Sequence, residues 1–139
     1  MTLIDYLRQN SDLNVIDTSK HGLINDVIQK LTALGIDEPR EVFRNVGIVK
    51  DGLTIGTVDL VVVSNDTLCV IEAKIMEPRS SASRTRNRLN RKLEKDYDYF
   101  SRQFGQCPRM IGIYRERGRS ACESYDHMAP LEHLLEDRR

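Results

Sequence analysis

The stretch GTVDLVVVSNDTLCVIEAKI, residues 56–75, decides the fold. Ile55 to Val63 and Leu68 to Ile75 read as two strands, β-branched and apolar, on either side of a polar turn. Three charges interrupt them: Asp59 in the first run, Glu72 and Lys74 in the second. A two-residue turn at Asn65-Asp66 fixes the pairing, because Asn and Asp tolerate the positive φ of such turns. Ser64 then faces Thr67, and Asp59 faces Glu72, with Cβ atoms roughly 5 Å apart. Lys74, two residues on, projects from the same face as Glu72. Val58, Leu60 and Val62 with Cys69, Ile71 and Ala73 form an apolar opposite face. Val61 and Val70 keep the charged face apolar near the turn. A three-residue loop would instead put Asp59 and Glu72 on opposite faces.

Two carboxylates this close repel each other unless positive charge lies between them. A divalent cation with oxygen ligands meets that need. Mg²⁺ takes one or two carboxylates and keeps several waters. The backbone carbonyl of Ala73 stands near the pair as a further donor. Lys74 beside the metal orients or deprotonates an attacking water, or stabilises negative charge developing on phosphorus. An amine among acids stays protonated, which favours the electrostatic role. A surface ion pair is the commoner explanation of any one of these charges taken alone; the convergence of three from two strands weakens it.

Working outward, Asp51-Gly52 marks a hairpin between a strand at 41–50 and the one at 55–63. Leu23, Val27, Leu31 and Leu34 predict a helix over 20–34, with Gly35 closing it. MTLIDYLRQN at the start reads as a short helix presenting Leu3, Ile4 and Leu7. Leu89, Leu93, Tyr97, Phe100 and Phe104 predict a long helix over 85–104, stopped by Gly105 and Pro108. Residues 109–115, RMIGIYR, read as a fourth strand, 116–127 as mostly loop, and a last short helix begins at Pro130. The expected fold is α/β, a mixed four-stranded sheet flanked by helices in the order α-β-β-β-α-β plus the short C-terminal helix. The fourth strand returns parallel to the third.

The chain of 139 residues fits one domain, 1–139, able to bury a core without staples. Its three cysteines, at 69, 107 and 122, lack disulfide or zinc spacing and fit a reducing, cytoplasmic setting. The first ten residues do not resemble a signal peptide, and no apolar run reaches membrane-spanning length. The histidines are scattered, and no P-loop or dinucleotide fingerprint occurs. Net charge is zero, but it is unevenly placed. Residues 79–92, RSSASRTRNRLNRK, hold six cations and no acid. Arg79, Arg84, Arg86, Arg88, Arg91 and Lys92 are thus candidate contacts to a nucleic-acid backbone. The serines at 80, 81 and 83 make 76–88 a basic connection expected to move without substrate.

The spacing of Asp59 from Glu-Ala-Lys at 72–74, set in this order of elements from about 20 to 115, resembles the PD-(D/E)XK nuclease superfamily, with its restriction-endonuclease-like core. Val58 stands where the family name has proline. The resemblance implies that Asp59 and Glu72 hold Mg²⁺, or Mn²⁺ in its place, beside the Ala73 carbonyl read from the hairpin, and that Lys74 is catalytic. It also implies an acid in the first helix near the metal, for which Asp26 is the candidate. The expected activity is Mg²⁺-dependent hydrolysis of DNA, by a homodimer or with a partner protein. The alternative is a non-catalytic nucleic-acid-binding or assembly module that keeps the fold. Some branches carry a glutamine and a tyrosine in the second helix. Here Tyr97 is present without the glutamine, and Lys92, Glu94, Lys95 and Asp96 fill that turn.

Overall fold

The computed structural model describes residues 1–12, 20–65 and 67–128. Three helices and five strands follow the order α1 (Leu3–Asn10), α2 (His21–Gln29), β1 (Arg40–Lys50), β2 (Leu53–Ser64), β3 (Thr67–Met76), α3 (Ala82–Phe104), β4 (Arg109–Glu116) and β5 (Glu123–His127). The strands form one mixed sheet in the order β1-β2-β3-β4-β5. β3 and β4 pair in parallel across α3, and the other neighbours are antiparallel.

The hairpins form as their turn residues dictate. Asp51 and Gly52 take φ of 52° and 78°, the paired positive values of a tight turn, and Lys50 pairs with Leu53. Asn65 takes φ of 45°, and Ser64 pairs with Thr67, which gives the expected two-residue register.

The sheet is apolar on both faces. Leu60, Val62, Cys69, Ile71, Ala73, Ile111 and Ile113 pack with Leu23, Ile24 and Val27 of α2. Val61, Val70 and Met110 pack with Tyr6 and Leu7 of α1 and Leu93, Tyr97 and Phe100 of α3. Val58 departs from the expected alternation and joins the second group. Nearby, Asn45 on the partner strand takes a left-handed φ of 48°, between the pairs Arg44–Leu60 and Val46–Val58. The Tyr6 hydroxyl donates to the Gly47 carbonyl and accepts from the Val49 N–H at 3.0 Å, which fixes α1 on β1.

Several boundaries differ from expectation. The second helix stops at Gln29 rather than running to Leu34. Lys30 already bonds to the Val27 carbonyl, a tighter three-residue turn, and Gly35 at φ 82° closes the segment. The long helix begins at Ala82, not Thr85, because Ser81 caps it by accepting the Arg84 N–H at 3.4 Å. Most of the basic connection expected at 76–88 is therefore helix. The helix expected from Pro130 lies outside the described residues. No helix among the described residues is long and apolar enough to cross a membrane.

The sheet has five strands where four were expected. β5, ESYDH, is short, charged and largely solvent-facing, so it lacks an apolar alternation to betray it. Tertiary contacts hold it: Arg109 donates to Asp126 at 2.9 Å, and the Tyr125 hydroxyl donates to Asn90 Oδ1 at 2.8 Å. The Tyr125 ring lies over Gly112, where an added Cβ would come within 2.5 Å of it. Gly112→Ala is accordingly expected to cost about 1–3 kcal/mol by overpacking. Urea denaturation measures it, and a loss below about 0.5 kcal/mol would mean that the ring moves aside freely.

Candidate active site

The β2–β3 ladder runs from Ser64–Thr67 to Leu60–Ile71 and then forks. At the fork, side chains replace the backbone bonds. The Asp59 carboxylate accepts the Ala73 N–H at 2.9 Å, and the Glu72 carboxylate accepts the Asp59 N–H at 3.1 Å. The two acids thus lie side by side at the level where continued pairing would put them. The Ala73 carbonyl shares the strand edge of its N–H and so faces the same fork.

The fork opens into a pocket of about 250 Å³ lined by Lys20, Asp59, Glu72, Ala73, Lys74, Arg88, Leu89 and Lys92. Asp59, Glu72, Ala73 and Lys74 therefore share one cavity. The other lining cations were not all foreseen. Lys20, at the start of α2, lies 3.4 Å from Asp59 Oδ2. Lys92 of α3 donates to Glu72 Oε2 at 2.8 Å and to the Thr57 carbonyl, and lies 3.6 Å from Asp96 Oδ1. Asp96 is a third carboxylate, fully buried one helical turn beyond Lys92.

Burial dominates the electrostatics. It pushes the Glu72 carboxyl up to about 8, with the Asp96 charge adding to the effect. Burial, then the Glu72 charge, raises Asp59 to about 6 against the opposing pull of Lys20 and the Ala73 N–H. Asp96 is also raised, again mainly by burial. With every carboxyl ionised, neither Asp96 oxygen has a hydrogen-bond donor. A proton held on Glu72 supplies one, so Glu72 and Asp96 titrate as a pair. Burial works against the Lys92 ammonium, but the charges of Glu72 and Asp96 outweigh it and hold its pKa above the ordinary lysine value.

Lys74 behaves differently from expectation. Rather than an amine among acids, it is lowered from the ordinary lysine value by desolvation and by the charges of Arg88 and Lys20. Asp26 departs too. It lies in an ion pair with Arg115 at 2.6 Å and does not line the pocket. Its place near Asp59 is taken by Lys20. Sequence reading had no means to find Lys20, since a lysine before a helix carries no periodic signal. Asp96 did carry one, as an acid among the buried positions Leu89, Leu93, Tyr97 and Phe100 of α3.

The basic segment divides into separate environments. Arg79, Arg84 and Arg88 join Lys74 around a second hollow of about 590 Å³, with Ser80, Ser81 and Thr85. Its one acid, Glu77, is held by Arg117 at 2.8 Å. Lys74 and Arg88 line both hollows, so acids and clustered cations adjoin. Arg86 instead stacks on the Tyr125 ring at 4.3 Å, Arg91 is exposed on α3, and Lys92 is drawn into the acids.

Among the described residues no three His, Cys, Asp or Glu side chains converge as a metal-ligand set. The donor chemistry nevertheless suits a hard divalent ion: buried carboxylates, a backbone carbonyl, and the Asp96 oxygens lacking donors. Asp59, Glu72 and the Ala73 carbonyl are the residues that would hold it. No protein-family model matches the chain, and no curated protein matches it either.

Proposed function

We propose that this chain is a metal-dependent nuclease of the PD-(D/E)XK kind, hydrolysing phosphodiester bonds in DNA. The observation that carries the reading is the sharing of one cavity by Asp59, Glu72, Ala73 and Lys74 at the fork of β2 and β3. Bound Mg²⁺ or Mn²⁺ supplies charge neutralisation and activation of water. Lys74 lies beside the acids with its charged form disfavoured by desolvation and neighbouring cations. An amine so placed orients the attacking water or takes up its proton. A new P–O bond forms as the bond to the leaving sugar oxygen breaks, and that oxygen takes up a proton from solvent. Arg88, which lines the same pocket, would stabilise the negative charge that develops on the phosphate.

The adjoining cationic hollow gives the strand a grip. No acid is paired with Arg79, Arg84 or Arg88 among the described residues, whereas Arg8, Arg40, Arg109, Arg115, Arg117 and Arg119 each meet one. Removing one phosphate-binding cation should lower the slope of log affinity against log salt by about 1. Arg84→Gln and Arg79→Gln are each expected to do so, whatever the DNA sequence. Unchanged slopes would remove the hollow from the binding surface.

The non-cleaving alternative draws on one observation, the lysines already seated on the acids: Lys20 on Asp59 and Lys92 on Glu72. Incubation of linear, nicked, branched and single-stranded DNA with Mg²⁺ or Mn²⁺ separates the two readings. Divalent-dependent product supports the nuclease. Intact DNA throughout, with binding retained, supports the alternative.

A further inference from the structure

The Lys92 ammonium is surrounded by oxygens from three elements. It donates to the Thr57 carbonyl of β2 and to Glu72 Oε2 of β3 at 2.8 Å, and lies 3.6 Å from Asp96 Oδ1 of α3. The last distance exceeds a hydrogen bond. Asp96 is 0% exposed, and neither of its oxygens has a donor. A buried carboxylate without donors is costly, and one cation at 3.6 Å offsets only part of that cost. With Glu72 ionised, Asp96 is therefore an acid without a donor, beside a position that a side-chain cation holds imperfectly.

We propose that Lys92 sits in a seat for a divalent cation, built from the Thr57 carbonyl, Glu72 Oε2 and Asp96 Oδ1, and that the ion and the ammonium compete for it. The proposal rests on the nuclease reading and shares Glu72 with its metal site, with Asp96 and Thr57 as the other donors in place of Asp59 and Ala73. Carbonyl and carboxylate oxygens are the ligands of hard ions such as Mg²⁺ and Mn²⁺, which complete their shell with water. Asp59 stands apart, its Oδ2 engaged by the Ala73 N–H and Lys20. Lys92 has a way out: its side chain is 44% exposed and lines the pocket shared with Lys74 and Arg88. A tethered ammonium keeps the acids neutralised in the metal-free fold and yields to an ion of higher charge.

The test is Mn²⁺ binding to the full chain without DNA, followed by electron paramagnetic resonance or calorimetry at one fixed pH. Lys92→Met removes the competitor and is expected to tighten binding by about tenfold or more, since a unit charge about 4 Å away no longer opposes the ion. Asp96→Asn keeps the shape of the side chain and is expected to weaken binding by about 10–100-fold, in the wild-type and Lys92→Met backgrounds alike. A folded Lys92→Met protein with unchanged affinity overturns the proposal. Unchanged affinity in Asp96→Asn overturns it as well, and that variant decides the matter should Lys92→Met not fold. Cleavage of DNA that proceeds unaltered in Asp96→Asn, with unaltered Mn²⁺ affinity, would sink the seat and leave the nuclease standing. Mn²⁺ binding that follows these variants while DNA stays intact would do the reverse.

Discussion

Glu72→Gln is expected to lower divalent-dependent DNA cleavage by about a thousandfold or more, while metal-free DNA binding stays within about twofold. The asymmetry follows from where Glu72 lies. Its side chain is 2% exposed behind the fork, so it does not belong to the surface that grips the strand. The substitution keeps the volume and still offers the Asp59 N–H an acceptor. It also gives Asp96 an amide donor, but removes the acceptor of Lys92 at Glu72 Oε2, so a melting curve separates any loss of stability from the loss of rate. A loss of rate then reports a loss of charge at the metal, not unfolding. Lys74→Met is expected to cost about 10²–10³-fold in the same assay with little change in Mn²⁺ affinity, because the proposed role of Lys74 is toward the attacking water and not as a metal ligand. Single-turnover cleavage, anisotropy binding at fixed salt and a melting curve check these together. Cleavage at wild-type rate in Glu72→Gln would remove the active-site assignment.

Lys92→Met is expected to destabilise the metal-free protein by about 2–3 kcal/mol at pH 8, and by less at pH 5. The loss falls below that of a fully buried pair because Lys92 is partly exposed. The pH dependence follows from the acids. Glu72 is raised to about 8 and Asp59 to about 6, both above the values of an unfolded chain. The folded state thus binds more protons than the unfolded state between about pH 4 and 8. That contribution to stability is full below the unfolded pKa values and is lost as pH rises through the folded ones. Without Lys92 the acids hold their protons to higher pH, so the decline becomes steeper and extends beyond pH 8. At pH 5 the protons already neutralise the cluster, and the lysine matters less. Glu72→Gln in the same chain should restore part of the loss. Denaturant titrations at both pH values in EDTA measure it. Equal losses at pH 5 and pH 8 would show that Lys92 acts through packing and not through charge.

The hairpin carrying Asp59 and Glu72 was legible because everything that fixes it is local. Strand side chains alternate with period two, and the Asn65 turn sets the register of neighbouring segments. The Asp51-Gly52 turn and the apolar stripe of α3 were legible for the same reason. β5 was not, because an edge strand of five residues is held by Arg109, Gly112 and Asn90, all distant in sequence.

The candidate site divides along the same line. Residues 56–75 by themselves set the register as far as Leu60 and Ile71; beyond it the strands fork, and the Asp59 and Glu72 carboxylates hold the fork through the Ala73 and Asp59 N–H groups. Tertiary packing decided their counter-charges. The seating of α3 on β3 brings Lys92 and Asp96 to Glu72, and the entry to α2 brings Lys20 to Asp59. Asp26, on the same helix, is turned to Arg115 instead. A long cationic side chain finds whichever buried acid its helix places within reach, and that reach is a property of helix packing that no local pattern encodes.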